Sequence, residues 1–235
     1  MAHKKPLLIL WFTVLMIVGC FIWYPVWWGI IRLGIILGLA ALWFGGMYLT
    51  WPYKAVRISV IIATLSTLLL LLPGHNDDPE KINKTYVEKL MTYEGVRYVW
   101  GGKNARGIDC AGLVRKGYID ANFSLGIQTY NPKLLRRAFF IWWYDCAADA
   151  LGDEYKHMTR KVQDADSMKE LANILQPGDL IVGLPDGFHV LAYLGNDQWI
   201  EADPAAGGVI TISTAQKAAQ WEGIPVRLVR WNNQL

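Results

Sequence analysis

The run His189-Val-Leu-Ala-Tyr-Leu-Gly195-Asn-Asp197-Gln-Trp-Ile-Glu201-Ala-Asp203 decides how the C-terminal part of this chain folds. Two short apolar stretches flank Gly195-Asn-Asp197, and such residues accept the positive φ angles of a hairpin turn. Reading outward, Pro177-Gly-Asp179 marks the point where the pattern turns to strands: Leu180–Leu184, His189–Leu194, Gln198–Ala202, Val209–Ser213 and Pro225–Val229. Before it the pattern is helical. Asn83 is a candidate cap for a helix through about Thr92, stopped near Gly95. Gly107-Ile-Asp-Cys110-Ala-Gly-Leu-Val114 opens a second helix, Pro132 to Leu151 reads as a third and Ser167 to Leu175 as a fourth. Helices followed by an antiparallel sheet define an α+β domain from His75 to Leu235.

Upstream of that domain the composition changes. Of 23 Lys and Arg, five precede Gly74 and 18 follow, whereas all 20 Asp and Glu lie at Asp77 or beyond. Three apolar stretches occupy the first part, Leu7–Tyr24, Val26–Leu49 and Ile58–Leu72, and Pro25, Pro52 and Pro73-Gly74 punctuate their ends. A spanning helix needs roughly 20 apolar residues, so the first two are long enough and the third is short. No small-residue cleavage site follows the first, which reads as a retained signal anchor. Residues 1–74 are therefore expected to form a membrane anchor of three helices in contact with the lipid bilayer. Lys4, Lys5, Lys54 and Arg57 fall on the cytoplasmic side by the positive-inside rule, and three spans deliver the C-terminal domain outside. If the third stretch lay flat on the inner surface the domain would face the cytoplasm. Its polar residues Ser59, Thr64, Ser66 and Thr67 make no charged face, and spanning is the expectation. Arg32 is placed near the outer end of the second helix, within snorkelling reach of the interface. The net charge of +3 reflects the basic flanks of these spans and gives no reason to expect a nucleic-acid partner.

Three cysteines occur. Cys20, in an apolar run, and Cys146, in the aromatic-rich third helix, read as small buried hydrophobes. Cys110 differs, because the first turn of a helix, with its unpaired N–H groups and positive dipole end, favours a thiolate. A nucleophilic cysteine needs a base, and the base needs a third group to hold it. His75 adjoins the membrane segment and His157 sits in a polar stretch, whereas His189 begins an apolar strand. Glu201 and Asp203 share one face of the next strand by its period of two, and either can serve as the third group. A buried cysteine and a satisfied core histidine are the competing reading of these residues. No metal-ligand cluster or phosphate-binding loop is present, so neither metal nor cofactor is expected.

Tyr98-Val-Trp-Gly-Gly102, Gly107-Ile-Asp-Cys110-Ala-Gly-Leu-Val114, Gly178-Asp-Leu180 and His189-Val-Leu-Ala-Tyr-Leu-Gly-Asn196 occur in that order. This series resembles the NlpC-type family of bacterial cell-wall cysteine peptidases across roughly Val87 to Val229. The resemblance implies a papain-like fold, with the cysteine at a helix N-terminus against a five- or six-stranded antiparallel sheet. It implies cleavage of amide bonds in peptidoglycan stem peptides, outside the bacterial cytoplasmic membrane. Cys110 matches the family nucleophile, His189 the base, Tyr98 the tyrosine near the oxyanion site and Glu201 the residue that orients the imidazole, with Asp203 the alternative. Asp109 and Trp100 are the expected substrate-binding residues.

Three departures from the family pattern stand out. Ala111 replaces the usual serine, which leaves Asp109 alone to hold a substrate amine. Glu201 stands where the family most often has histidine. The segment from Asn122 to Gln176 is longer than usual and carries Leu134-Leu-Arg-Arg-Ala-Phe-Phe-Ile-Trp-Trp-Tyr144, either a core helix, a lid or a surface resting on the membrane. Acyl chemistry on a lipid or lipoprotein and a catalytically silent binding module are the alternative functions.

Overall fold

In the first part of the chain, residues without side-chain polarity leave the backbone no partner but itself, and the chain coils into helices. The computed structural model describes residues 4–75 and 78–232. Asp77 and the outermost residues of both expected segments lie outside the described residues. Helix α1 spans Lys4–Trp23, α2 Gly29–Thr50 and α3 Lys54–Thr67, the last prolonged by a 3-10 turn Leu68–Leu71. Together α3 and its extension reach 18 residues, so all three are long and apolar enough to cross a membrane. Their apolar flanks are exposed almost entirely. Gly38 and Gly45 let α1 and α2 approach closely, since a Cβ at Gly38 would lie 2.3 Å from Val18 and one at Gly45 3.0 Å from Trp11.

The remainder is a helical layer on a mixed-length sheet. Helix α4 covers Pro79–Met91, with Asp78 accepting from the Glu80 and Lys81 amides and Pro79 supplying the first helical residue. It therefore starts earlier than the Asn83 cap predicts. A small hairpin follows, β1 Lys103–Asn104 and β2 Gly107–Ile108, then α5 Cys110–Gln128 and α6 Pro132–Trp143. The predicted helix to Leu151 is broken here. Tyr144 to Ala147 are non-helical, and a short α7, Ala148–Gly152, resumes afterwards. The physical reason is Arg115 of α5, whose buried guanidinium bonds the carbonyls of Ile141 and Tyr144 and the Asp145 carboxylate, capping the end of α6. Strand β3 occupies Thr159–Ala165, a stretch left without structure by the sequence reading. The helix expected over Ser167–Leu175 is one 3-10 turn, Met168–Leu171. Strands β4 Leu180–Gly183, β5 Val190–Gly195, β6 Gln198–Asp203 and β7 Gly208–Ser213 lead to α8 Thr214–Gln220 and β8 Val226–Trp231.

The six strands β3 to β8 pair antiparallel in the order β3-β8-β4-β5-β6-β7. The α+β expectation is met, with six strands. One face packs Leu180, Val182, Val190 and Ile200 against α4 and α5, and the other packs Ile181, Leu191, Trp199 and Leu228 beneath Trp221. Alternate residues are thus buried on both sides, each large side chain contributing about 1.5–3 kcal/mol. Tyr118 of α5 stacks on Trp231 of β8 with centroids 4.3 Å apart, and Tyr86 of α4 meets both rings edge-on. That cluster locks α5, and with it Cys110, onto the sheet.

Candidate active site

Cys110 is the first residue of α5, half-buried, with Asp109 as its N-cap. Amide groups in a first helical turn have no intrahelical acceptor and point at whatever lies before the helix. Asp109 binds the Gly112 amide through Oδ1 at 2.5 Å and the Gly101 amide through Oδ2 at 2.9 Å. Both its oxygens are thereby committed to tying the Tyr98–Gly102 loop to the helix start. The two pieces approach so closely that a Cβ on Gly112 would lie 2.2 Å from the Gly102 carbonyl oxygen.

His189 stands immediately before β5, where Gly183 donates to its carbonyl at 3.1 Å. The imidazole Nε2 lies 2.7 Å from Glu201 Oε2, and Cys110 is the other group that acts on the ring. With Nε2 engaged, Nδ1 is the nitrogen left for Cys110. Burial depresses the imidazole, yet the pull of Cys110 and Glu201 prevails and raises His189 to about 9. Asp203, the alternative third group, instead accepts from the Ala205 amide at 2.7 Å at the end of β6.

Glu201 is fully buried and shares the sheet face of Trp199, which is the face α8 covers. Lys217 of α8 reaches both its carboxylate oxygens, at 2.7 and 2.6 Å, and lies over the Trp221 ring at 4.9 Å. Burial opposes ionisation of Glu201, but His189 and Lys217 outweigh it and hold the carboxyl below its ordinary value. Lys217 was absent from the sequence reading. Its signal was present, since Ser213 and Gln216 form a reciprocal capping box that announces α8.

Around Cys110 lies a cleft of about 450 Å³ lined in part by Tyr98, Trp100, Asp109, Asp186 and Phe188. Burial first, then the neighbouring Cys110, Asp109 and Asp203, raise the Tyr98 phenol to about 12, so its hydroxyl remains a donor. Trp100 is 83% exposed on the rim. Cys146 also lines this cleft, from the loop after α6; it packs against the core as expected of a small hydrophobe, but not within a helix. Burial lifts its thiol to about 11, and it stays protonated at neutral pH. Among the described residues, no group of three or more His, Cys, Asp or Glu is placed to hold a metal ion.

The model of the NlpC/P60 family matches residues 95–224. The chain belongs to the NlpC/P60 family. It is 32% identical over 146 residues to peptidoglycan endopeptidase RipB of Mycobacterium tuberculosis, covering 56% of this chain and 47% of that protein. Murein DD-endopeptidase MepS/murein LD-carboxypeptidase of Escherichia coli is 24% identical over 132 residues, covering 55% of this chain and 54% of that one. The chain spans about half the length of these curated relatives. Among solved structures, that of the peptidoglycan hydrolase RipB from Mycobacterium tuberculosis aligns with a TM-score of 0.42 at 23% identity, covering 64% of this chain and 65% of that one.

Proposed function

We propose that this protein is a membrane-anchored cysteine peptidase or amidase that hydrolyses amide bonds of peptidoglycan stem peptides. One observation carries the reading: a cysteine at a helix N-terminus that acts on a histidine whose Nε2 is held by a buried carboxylate. In this mechanism Cys110 Sγ attacks the scissile carbonyl carbon. The developing oxyanion is met by amide groups of the first turn of α5 and by the Tyr98 hydroxyl. The His189 imidazolium gives its proton to the departing amine nitrogen, which leaves Cys110 acylated as a thioester. Neutral His189 then takes a proton from water, the hydroxide displaces the thiolate, and the carboxylic acid product leaves. Glu201 holds the ring and stabilises its positive form, while Lys217 keeps Glu201 ionised and fixed.

The domain is proposed to work outside the cytoplasmic membrane. Supporting this, it sits at the end of the helical anchor formed by Tyr24–Trp28 and by Leu70–Pro73. The turn at Trp51–Tyr53, next to Lys54 and Arg57, lies between α2 and α3 at their other ends. For acyl chemistry on lipid, the apolar groove of α5 and α6 is the natural candidate site, but Cys110 is not among its lining residues.

The test is digestion of purified peptidoglycan by the full chain in detergent micelles, with products read by mass spectrometry. Muropeptides carrying new amine and carboxyl ends are expected, and none from Cys110→Ala. Product release by Cys110→Ala equal to that of the parent would overturn the mechanism.

A further inference from the structure

The catalytic cleft is not built from the catalytic domain alone. Trp28, which lies in the loop between the first two apolar helices and immediately precedes α2, lines the same cleft as Cys110 and Tyr98. It is 69% exposed, so its indole is free to meet a ligand.

Several contacts hold that loop in place. Val26 forms an antiparallel bridge with Gly102, and the Lys103 amide donates to the Pro25 carbonyl at 2.9 Å. The Asn104 side chain donates to the Tyr24 carbonyl at 3.0 Å, and the Arg106 guanidinium covers the Trp23 ring. Arg32, one turn into α2 and 2% exposed, pairs with Asp145 at 2.9 Å. On the far side, Arg136 of α6 bonds the carbonyls of Leu70, Leu72 and Pro73, where the third apolar helix ends. The domain is therefore clamped to the anchor at two places, and its cleft has a set height above the start of α2.

A ligand resting on Trp28 lies one residue from the beginning of a 22-residue apolar helix. Trp is a side chain suited to the border between headgroups and water. Resting on the peptidase reading above, we infer that Trp28 is a specificity-determining wall of the cleft and that the preferred substrate is a stem peptide carried on a lipid in the same bilayer. Peptides on polymerised strands, which lie farther from the membrane, fit this geometry less well.

The experiment uses the full chain in phospholipid nanodiscs with one disaccharide-peptide in three forms: linked to a polyprenyl lipid in the disc, water-soluble, and within insoluble polymer. The lipid-linked form should be cleaved with kcat/KM higher by on the order of tenfold or more, part of that through shared confinement in one membrane. Confinement is separated from recognition by variants. Trp28→Ala should raise KM for the lipid-linked form by about tenfold, the loss of roughly 1.4 kcal/mol of binding, with kcat changed little. Phe188→Ala, on the part of the cleft that packs against Trp221, should raise KM for lipid-linked and soluble forms alike. Polymer cleaved as well as the lipid-linked form, or a Trp28→Ala variant with unchanged KM, would overturn the inference while leaving the peptidase reading intact. Cleavage of none of the three forms would overturn both.

Discussion

The buried pair Glu201–Lys217 makes the chemistry of His189 testable in three ways. First, an imidazole raised from about 6.5 to about 9 on folding stabilises the native state fully below its unfolded value and ceases to do so as pH rises through 9. The rate should fall on the same limb, because the leaving amine then loses its proton donor. Glu201→Gln removes one of the interactions that raise His189, so its alkaline limb should move to lower pH. An unmoved limb in the pH–rate profile would show that Glu201 does not act through the ring. Second, Lys217→Met takes one of two cationic partners from buried Glu201 and leaves it the His189 imidazolium, at a cost of up to about 3 kcal/mol. The double variant Glu201→Gln/Lys217→Met should regain much of that stability in thermal denaturation without regaining the rate. Third, a thiol-directed probe at neutral pH should label Cys110 and spare Cys146, whose burial holds it in the thiol form. Preferential labelling of Cys146 would reverse the assignment.

The meeting of α5 with the loop before it is where local chain geometry creates the site. Gly112→Ala would drive a methyl group into the Gly102 carbonyl and the Asp109 cap. The helix start would have to shift, and even a displacement near 1 Å costs on the order of a hundredfold in rate. Hydrolysis assays should show that loss alongside a fold intact by circular dichroism. Retained activity would mean that the loop has room to retreat. Much here was legible beforehand: the Gly-Ile-Asp-Cys signature placed a helix start at Cys110, and Gly195-Asn-Asp197 between apolar stretches placed the β5–β6 hairpin. The end of α6 was not legible. Tyr144 to Ala147 contain no helix breaker, and the helix stops because Arg115, far back in the chain, caps it. Likewise β3 is polar and exposed along most of its length, so only its pairing with β8 at the sheet edge reveals it as a strand.

For the molecule as a whole, the three spans proposed above would put the catalytic domain and the N-terminus on opposite sides of the membrane. A C-terminal reporter that works only outside the cytoplasm should be active, and the same reporter fused after Tyr53 should be silent. A fusion after Pro73 tests the third helix, whose 18 residues fall near the lower bound of the roughly 20 needed. Activity of a cytoplasm-only reporter at the C-terminus would leave two spans, and Cys110 would never meet polymerised cell wall. Arg32 shows how far the two halves depend on one another. The sequence placed it at the interface, snorkelling, whereas the fold encloses it against Asp145, which Arg115 and Lys103 also contact.

What the amino-acid order settled unaided is whatever depends on neighbours along the chain. Apolar runs became α1 to α3, the Gly-Ile-Asp-Cys start became the head of α5, and apolar stretches about a turn became paired strands. Periodicity and capping act over a few residues, so they can be read directly. The pairing of His189 with Glu201, the arrival of Lys217 beneath it, the place of Cys146 beside the cleft and the contribution of Trp28 to its wall belong to the tertiary structure alone. Each joins elements distant in sequence. Their proximity comes from how helices pack on a twisted sheet and how the domain seats on its anchor, which no local pattern encodes.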